Sequence, residues 1–158
     1  MVVNAANWAP IAPPDENRTF EDVHAGSPFY GYVEAAATHG VVSGYACGGP
    51  NEPCVPPGNR PYFRAGNNIT RGQLAKVIAL ARDYPLTPPP APTFADVDPS
   101  HPFYLYIEAV AAHGVVSGYD CGGPGEPCDP QRRPYYRPAN NATRGQVTKY
   151  VTVAYGGP

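Results

Sequence analysis

Two stretches of this chain carry the same residues in the same order. Phe20-Glu-Asp-Val23 returns 74 positions later as Phe94-Ala-Asp-Val97, and His39-Gly-Val-Val-Ser-Gly-Tyr45 returns as His113-Gly-Val-Val-Ser-Gly-Tyr119. Cys47-Gly-Gly-Pro-Asn-Glu-Pro-Cys54 is matched by Cys121-Gly-Gly-Pro-Gly-Glu-Pro-Cys128. After a one-residue deletion, Asn67-Asn-Ile-Thr-Arg-Gly-Gln73 is matched by Asn140-Asn-Ala-Thr-Arg-Gly-Gln146. A duplicated unit with few charges between its landmarks marks modules that stack, because each hides its apolar face against the next. That constraint favours a scaffold or binding protein over an enzyme.

With 158 residues the chain suits one domain or two small ones. Each repeat has about 60 residues, a size at which apolar burial alone is marginal and a staple is common. The 22 Pro and 17 Gly approach the level of disordered chains. Many occupy matched positions in both repeats, however, which makes them turn and loop residues. A net charge of −2 and the lack of any basic run exclude nucleic-acid binding led by phosphate contacts. No segment is apolar enough to span a membrane. The start, Met1-Val-Val-Asn-Ala-Ala-Asn-Trp8, lacks a basic region and an unbroken apolar stretch, so it does not read as a signal peptide.

The four cysteines form two identical pairs, each with six residues between its members. They read as one local disulfide per repeat, Cys47–Cys54 and Cys121–Cys128, although sequence alone allows three connectivities. A four-cysteine zinc site is the competing reading, but metal knuckles space their cysteines by about two to four residues. Disulfides imply an oxidising compartment and hence an extracellular protein.

The expected architecture is mainly α: tandem helix-loop-helix repeats with long Pro/Gly-rich loops and an extended N-terminal arm. Residues 1–19 form the arm, 20–83 the first repeat, 84–93 a stiff polyproline linker and 94–158 the second repeat. In the first helix Ser27 is a candidate N-cap with Pro28 in the first turn. Tyr30, Val33, Ala36 and Ala37 supply its apolar side, and Gly40 suits a left-handed stop. Thr70-Arg-Gly-Gln73 is a capping box that opens a second helix with Leu74, Val77, Ile78 and Ala81 at apolar spacing. The copy repeats this with Val147, Tyr150, Val151 and Ala154.

These motifs resemble the S-layer homology family over about four-fifths of the chain. The resemblance is carried by Phe20-Glu-Asp22-Val23, Gly40 to Tyr45, Phe63-Arg64 and Ile69-Thr-Arg-Gly-Gln73. Their counterparts are Phe94-Ala-Asp96-Val97, Gly114 to Tyr119, Tyr136-Arg-Pro138 and Thr143-Arg-Gly-Gln146. The resemblance implies an α-helical module of extracellular bacterial proteins, in which three repeats commonly hold cell-wall polysaccharide in grooves. It also implies that Arg71 and Arg144 supply cations for acidic sugars while Asp22 and Asp96 line or brace the same region. The chain departs from the family pattern in four ways, the first being Pro28 and Pro102 where the family often has Trp just before the helix. The cysteine loop is inserted, there is no third repeat, and Gln73 and Gln146 replace an acidic residue.

Each candidate site also has a plainer structural reading. Arg71 and Arg144 stand at helix N-termini, where the dipole favours anions; the plainer role is an ion pair with Asp22 or Asp96. His39 and His113 precede a helix-ending Gly and read as caps. Glu34 and Glu108 lack a partner carboxylate for catalysis. Tyr30, Tyr32, Tyr62, Tyr104, Tyr106, Tyr135 and Tyr136 suit a sugar platform, a core or an interface. The sequons at Asn17, Asn68 and Asn141 read as chance matches, since Thr70 and Thr143 already have capping work.

No nucleophile–base pair, phosphate loop or metal cluster is present, so neither catalysis nor a cofactor is expected. The sequence reading is a non-catalytic extracellular structural protein that self-assembles with copies of itself into a cell-surface filament or layer. In that reading Val2, Val3, Trp8 and Ile11 of the arm dock into an adjacent subunit. The alternative is an anchor module bound to cell-wall polysaccharide.

Overall fold

A computed structural model of the chain describes residues 1–156; Gly157 and Pro158, the end of the Gly-Gly-Pro tail, lie outside the described residues. Its helices are α1 (Val2–Ala5), α2 (Tyr30–Thr38), α3 (Arg71–Ala81), α4 (Tyr104–Ala112) and α5 (Arg144–Tyr155), with a 3₁₀ turn at Asp15–Asn17. Extended structure among the described residues is limited to isolated bridges, such as Tyr45 with Tyr62 and Tyr119 with Tyr135. The protein is therefore mainly α, and no described helix is long and apolar enough to cross a membrane. The chain divides into two compact units, Met1–Asn67 and Asn68–Pro158. Helix α3, which the sequence repeat assigns to the first copy, thus belongs to the second compact unit.

In the first unit Phe20, Val23, Tyr30 and Val33 form a core, with Ala37, Val42 and Phe63 packed against it. The Ser43-Gly44 turn closes over this core and is tight for a specific reason. Gly44 sits at φ +68°, and a Cβ there would lie 2.6 Å from the Phe20 ring. Only glycine combines that left-handed backbone with that approach.

Helix α2 begins at Tyr30 with Phe29 at its N-cap, two residues later than the Ser27 cap expected from sequence. The reason is a preceding turn: Ser27 O accepts the N–H of Tyr30, and Ser27 Oγ accepts that of Phe29 at 3.3 Å. The buried face of α2 also differs from the expected one. Val33, Glu34 and Ala35 are buried beside Tyr30, with Ala36 and Ala37 only half-buried. Glu34 is tolerated inside because its carboxylate accepts from Thr19 N at 2.9 Å and Thr19 Oγ1 at 2.7 Å.

The N-terminal arm lies on its own unit. Val3 is buried, Trp8 stacks on His39 with ring centroids 3.8 Å apart, and Ile11 N donates to Gly31 O. Val2 is half-buried and Ile11 is exposed.

The second unit repeats this plan with an additional long helix. Phe94, Val97, Tyr104, Ile107, Val110 and Val115 are buried, as are Leu74, Ala75, Ile78 and Ala79 of α3. Helix α3 packs along α4 and touches α5. Both capping boxes form as expected: Thr70 with Gln73, and Thr143 with Gln146. Residues 84–93 run over α4, with Tyr84 stacked on His113 at 3.7 Å. Pro85, Thr87, Pro89 and Thr93 line a cavity of about 360 Å³ against that helix. Glu108 repeats the Glu34 arrangement by accepting from Thr93 N and Oγ1.

Candidate functional site

The first turn of an α-helix carries N–H groups with no partner inside the helix. At the start of α3 they are met by the loop that precedes α5. Arg71 N donates to Asn140 O at 2.8 Å and Gly72 N to Pro138 O at 2.9 Å, while Gln73 N is taken by Thr70 Oγ1. A bridge between Thr70 and Asn141 continues the contact. Gly72 is required here, because a Cβ would lie 2.6 Å from the Phe103 ring.

The Arg71 side chain is 5% exposed. Its Nε donates to Tyr136 O at 2.8 Å and its Nη1 to Tyr119 Oη at 3.2 Å. The guanidinium also lies 4.8 and 4.9 Å from the Tyr136 and Tyr119 ring centres. Tyr136, fully buried, returns a bond from its hydroxyl to Arg71 O and shares another with Tyr150 Oη at 2.9 Å. Burial pushes the Tyr136 hydroxyl well above the ordinary tyrosine value and raises that of Tyr150 as well, so both stay protonated. The sequence expectation of an ion pair between Arg71 and an aspartate is corrected: this cation is held by aromatic faces, a carbonyl and a hydroxyl.

The aspartates brace a different peptide. Asp96 accepts from Tyr136 N at 2.7 Å and Arg137 N at 2.6 Å, and Asp22 accepts from Phe63 N and Arg64 N at the same distances. Arg71 and Asp96 therefore converge on Tyr136 without touching each other. Arg64 and Arg137 both take a left-handed backbone at φ 62°, a conformation that costs a non-glycine residue about 1–2 kcal/mol. Their side chains account for the geometry. Arg137 forks onto Glu126 at 2.7 and 2.8 Å over the Tyr119 ring, and Arg64 forks onto Glu52 at 2.7 Å over the Tyr45 ring. The fork holds Glu52 and Glu126 below the ordinary carboxylate range.

Both disulfides are local, Cys47–Cys54 and Cys121–Cys128, each with 5.0 Å between Cα atoms. They close the loops that carry Glu52 and Glu126. A bridge across such a loop contributes about 2.5 kcal/mol in the chain-entropy model.

Arg144 has different surroundings from Arg71. Thr143, Arg144 and Gly145 are exposed, and a Cβ on Gly145 would meet only Thr143 Oγ1 at 4.0 Å. Among the described residues no carbonyl meets the N–H groups of Arg144 and Gly145. Of the tyrosines singled out in the sequence, Tyr30, Tyr104 and Tyr136 are buried, Tyr32 is 40% exposed, and Tyr62, Tyr106 and Tyr135 are half-buried. The sequence reading missed Tyr119, Tyr150, Gly72 and Phe103 as partners of the helix start. The matched Tyr45 and Tyr119 were a usable signal for the first of these, whereas the Gly72–Phe103 contact has no signature in sequence.

A family model described as S-layer homology domain matches residues 19–54 and 93–148, more than half of the chain. No curated protein matches it.

Proposed function

The chain belongs to the S-layer homology domain family of cell-surface modules, and on that premise we propose that it is a non-catalytic structural protein that self-assembles at the cell surface. One observation carries the reading. The start of α3 is buried by the loop and tyrosines that precede α5, while the same four residues at the start of α5, Thr143 to Gln146, are largely exposed. A helix start built for cover and left without it invites a further repeat, and another copy of the chain can supply one. Contacts of this head-to-tail kind produce rings or filaments according to the rotation between copies. The test is electron microscopy and sedimentation of the purified, oxidised chain without wall material. Filaments, sheets or closed rings are expected; dispersed single chains at every concentration would refute self-assembly.

A second reading, attachment to cell-wall polysaccharide, is favoured by the exposed guanidinium of Arg144 beside a helix N-terminus. It predicts that Arg144→Ala releases the chain from purified wall polysaccharide in a pull-down. Retention undiminished by that substitution would overturn it.

A further inference from the structure

The arm on the first unit reproduces the end of α3. Ala6 N bonds to Val2 O as Arg82 N does to Ile78 O, and Trp8 N bonds to Val3 O as Tyr84 N does to Ala79 O. Asn7 N bonds to Asn4 O as Asp83 N does to Leu80 O, and both Asn7 and Asp83 are left-handed, at φ 57° and 51°. The ring stack of Trp8 on His39 matches that of Tyr84 on His113. Helix α1 therefore occupies on α2 the place that the last turn of α3 occupies on α4. The positions of Arg71, Gly72 and Lys76 are not taken by α1.

That difference accounts for two exposed aromatic side chains. On α4, Phe103 lies under Gly72 and Tyr106 lies under the Lys76 ammonium at 5.8 Å. Their counterparts before and within α2, Phe29 and Tyr32, are 60% and 40% exposed. The Arg64–Glu52 fork over the Tyr45 ring already stands as its copy does in the second unit. The seat is thus formed before anything fills it.

Helix α5 carries the complementary face. On α3, Gly72 and Lys76 lie against Phe103 and Tyr106, and Ala75 and Ala79, at the same helical spacing, are buried. Gly145, Thr148, Lys149 and Thr152 hold the corresponding positions on α5, and all four are exposed. Threonine in place of alanine lets this face meet water, which suits a reversible contact.

We propose that α5 of a second copy of this chain docks on the seat formed by Phe29 and Tyr32, and that α1 leaves as it enters. This inference rests on the self-assembly reading and names its interface. Gly145 would cover Phe29, Lys149 would lie over Tyr32, and Thr152 would take the place of Val3. Trp8 would lose its stack on His39.

The test uses the 158-residue chain, sedimentation velocity and the emission of its single tryptophan. Gly145→Leu blocks the helix face at an open position, and Phe29→Lys blocks the seat at an exposed one. Neither substitution touches the core. Wild type is expected to assemble with a shift in Trp8 emission, and each variant alone is expected to lose at least tenfold in assembled mass. An equal mixture of the two variants should stop at pairs, since only one intact seat and one intact α5 face remain. Assembly of either variant at the wild-type level would overturn the docking inference and leave the self-assembly reading standing. Wild type that stays single at every concentration would overturn the self-assembly reading and, with it, the docking inference that rests on it.

Discussion

The two Thr-Arg-Gly-Gln motifs allow the same substitution to be made in two environments. Arg71→Ala removes a charge-assisted bond to the Tyr136 carbonyl, worth about 1.5–3 kcal/mol, and a longer bond to the Tyr119 hydroxyl worth about 1 kcal/mol. It also removes two ring contacts of about 0.5–1 kcal/mol each. Against these stands the freedom regained by a long side chain, about 2 kcal/mol. The expected net loss is about 3 kcal/mol, enlarged where the truncation leaves a void between Tyr119 and Tyr136. Arg144→Ala removes an exposed side chain and should change stability by no more than about 0.5 kcal/mol. The assay is urea unfolding of the oxidised chain followed by far-ultraviolet circular dichroism, at a concentration where wild type is a single chain. Arg71→Lys is the control, keeping the charge but losing the planar fork, and should recover less than half of the loss. Equal losses for Arg71→Ala and Arg144→Ala, or a loss below about 1 kcal/mol for the former, would refute the reasoning.

Other consequences can be checked on the same material. Gly118 sits at φ +76°, and a Cβ there would lie 2.7 Å from the Phe94 ring, so Gly118→Ala should cost at least about 2 kcal/mol in a thermal melt. Gly26→Ala, at an open position, should be nearly neutral. Glu52 and Glu126 are held below the ordinary glutamate range chiefly by their bonds to Arg64 and Arg137. Their contribution is therefore complete above that range and lost as the pH falls through the depressed folded values. The melting temperature should hold from neutral pH to about pH 5 and then decline, with a shallower decline in Glu126→Gln. Reduction of both disulfides should lower stability by about 2.5 kcal/mol per bridge, read as a shift of the urea midpoint between oxidised and reduced samples.

The local elements were legible because their signals are short-range. Each capping box needs only four consecutive residues, and the glycines that close α2 and α4 fall where a left-handed residue is required, at φ +71° for Gly40 and +70° for Gly114. The local disulfides followed from matched spacing. The start of α2 did not, because Ser27 and Pro28 satisfy the sequence rule for a cap while belonging to the turn before the helix. The fate of Arg71 was also out of reach. Arg71 and Arg144 sit in the same four-residue motif, yet one is 5% exposed and the other lies open. What separates them is a loop more than sixty positions downstream of Arg71, which meets its N–H groups and its guanidinium. No local pattern encodes that difference.

The repeat visible in the sequence is therefore offset from the unit that satisfies its polar groups. The helix that closes one sequence copy has its first turn completed by the Tyr119, Tyr136 and Pro138 region of the next copy. Among the described residues one such helix start, that of α3, is satisfied, and that of α5 lies open to solvent. In the first unit Phe29 and Tyr32 hold the sequence positions of the two rings that α3 covers on α4, yet they are 60% and 40% exposed. Exposed N–H groups are cheap in water, so the open start costs little in a single chain. The exposed rings differ, since burying each recovers apolar surface at about 25 cal/mol per Å². In the assembly proposed above, the gain would come from bringing the rings and the exposed face of α5 out of water together.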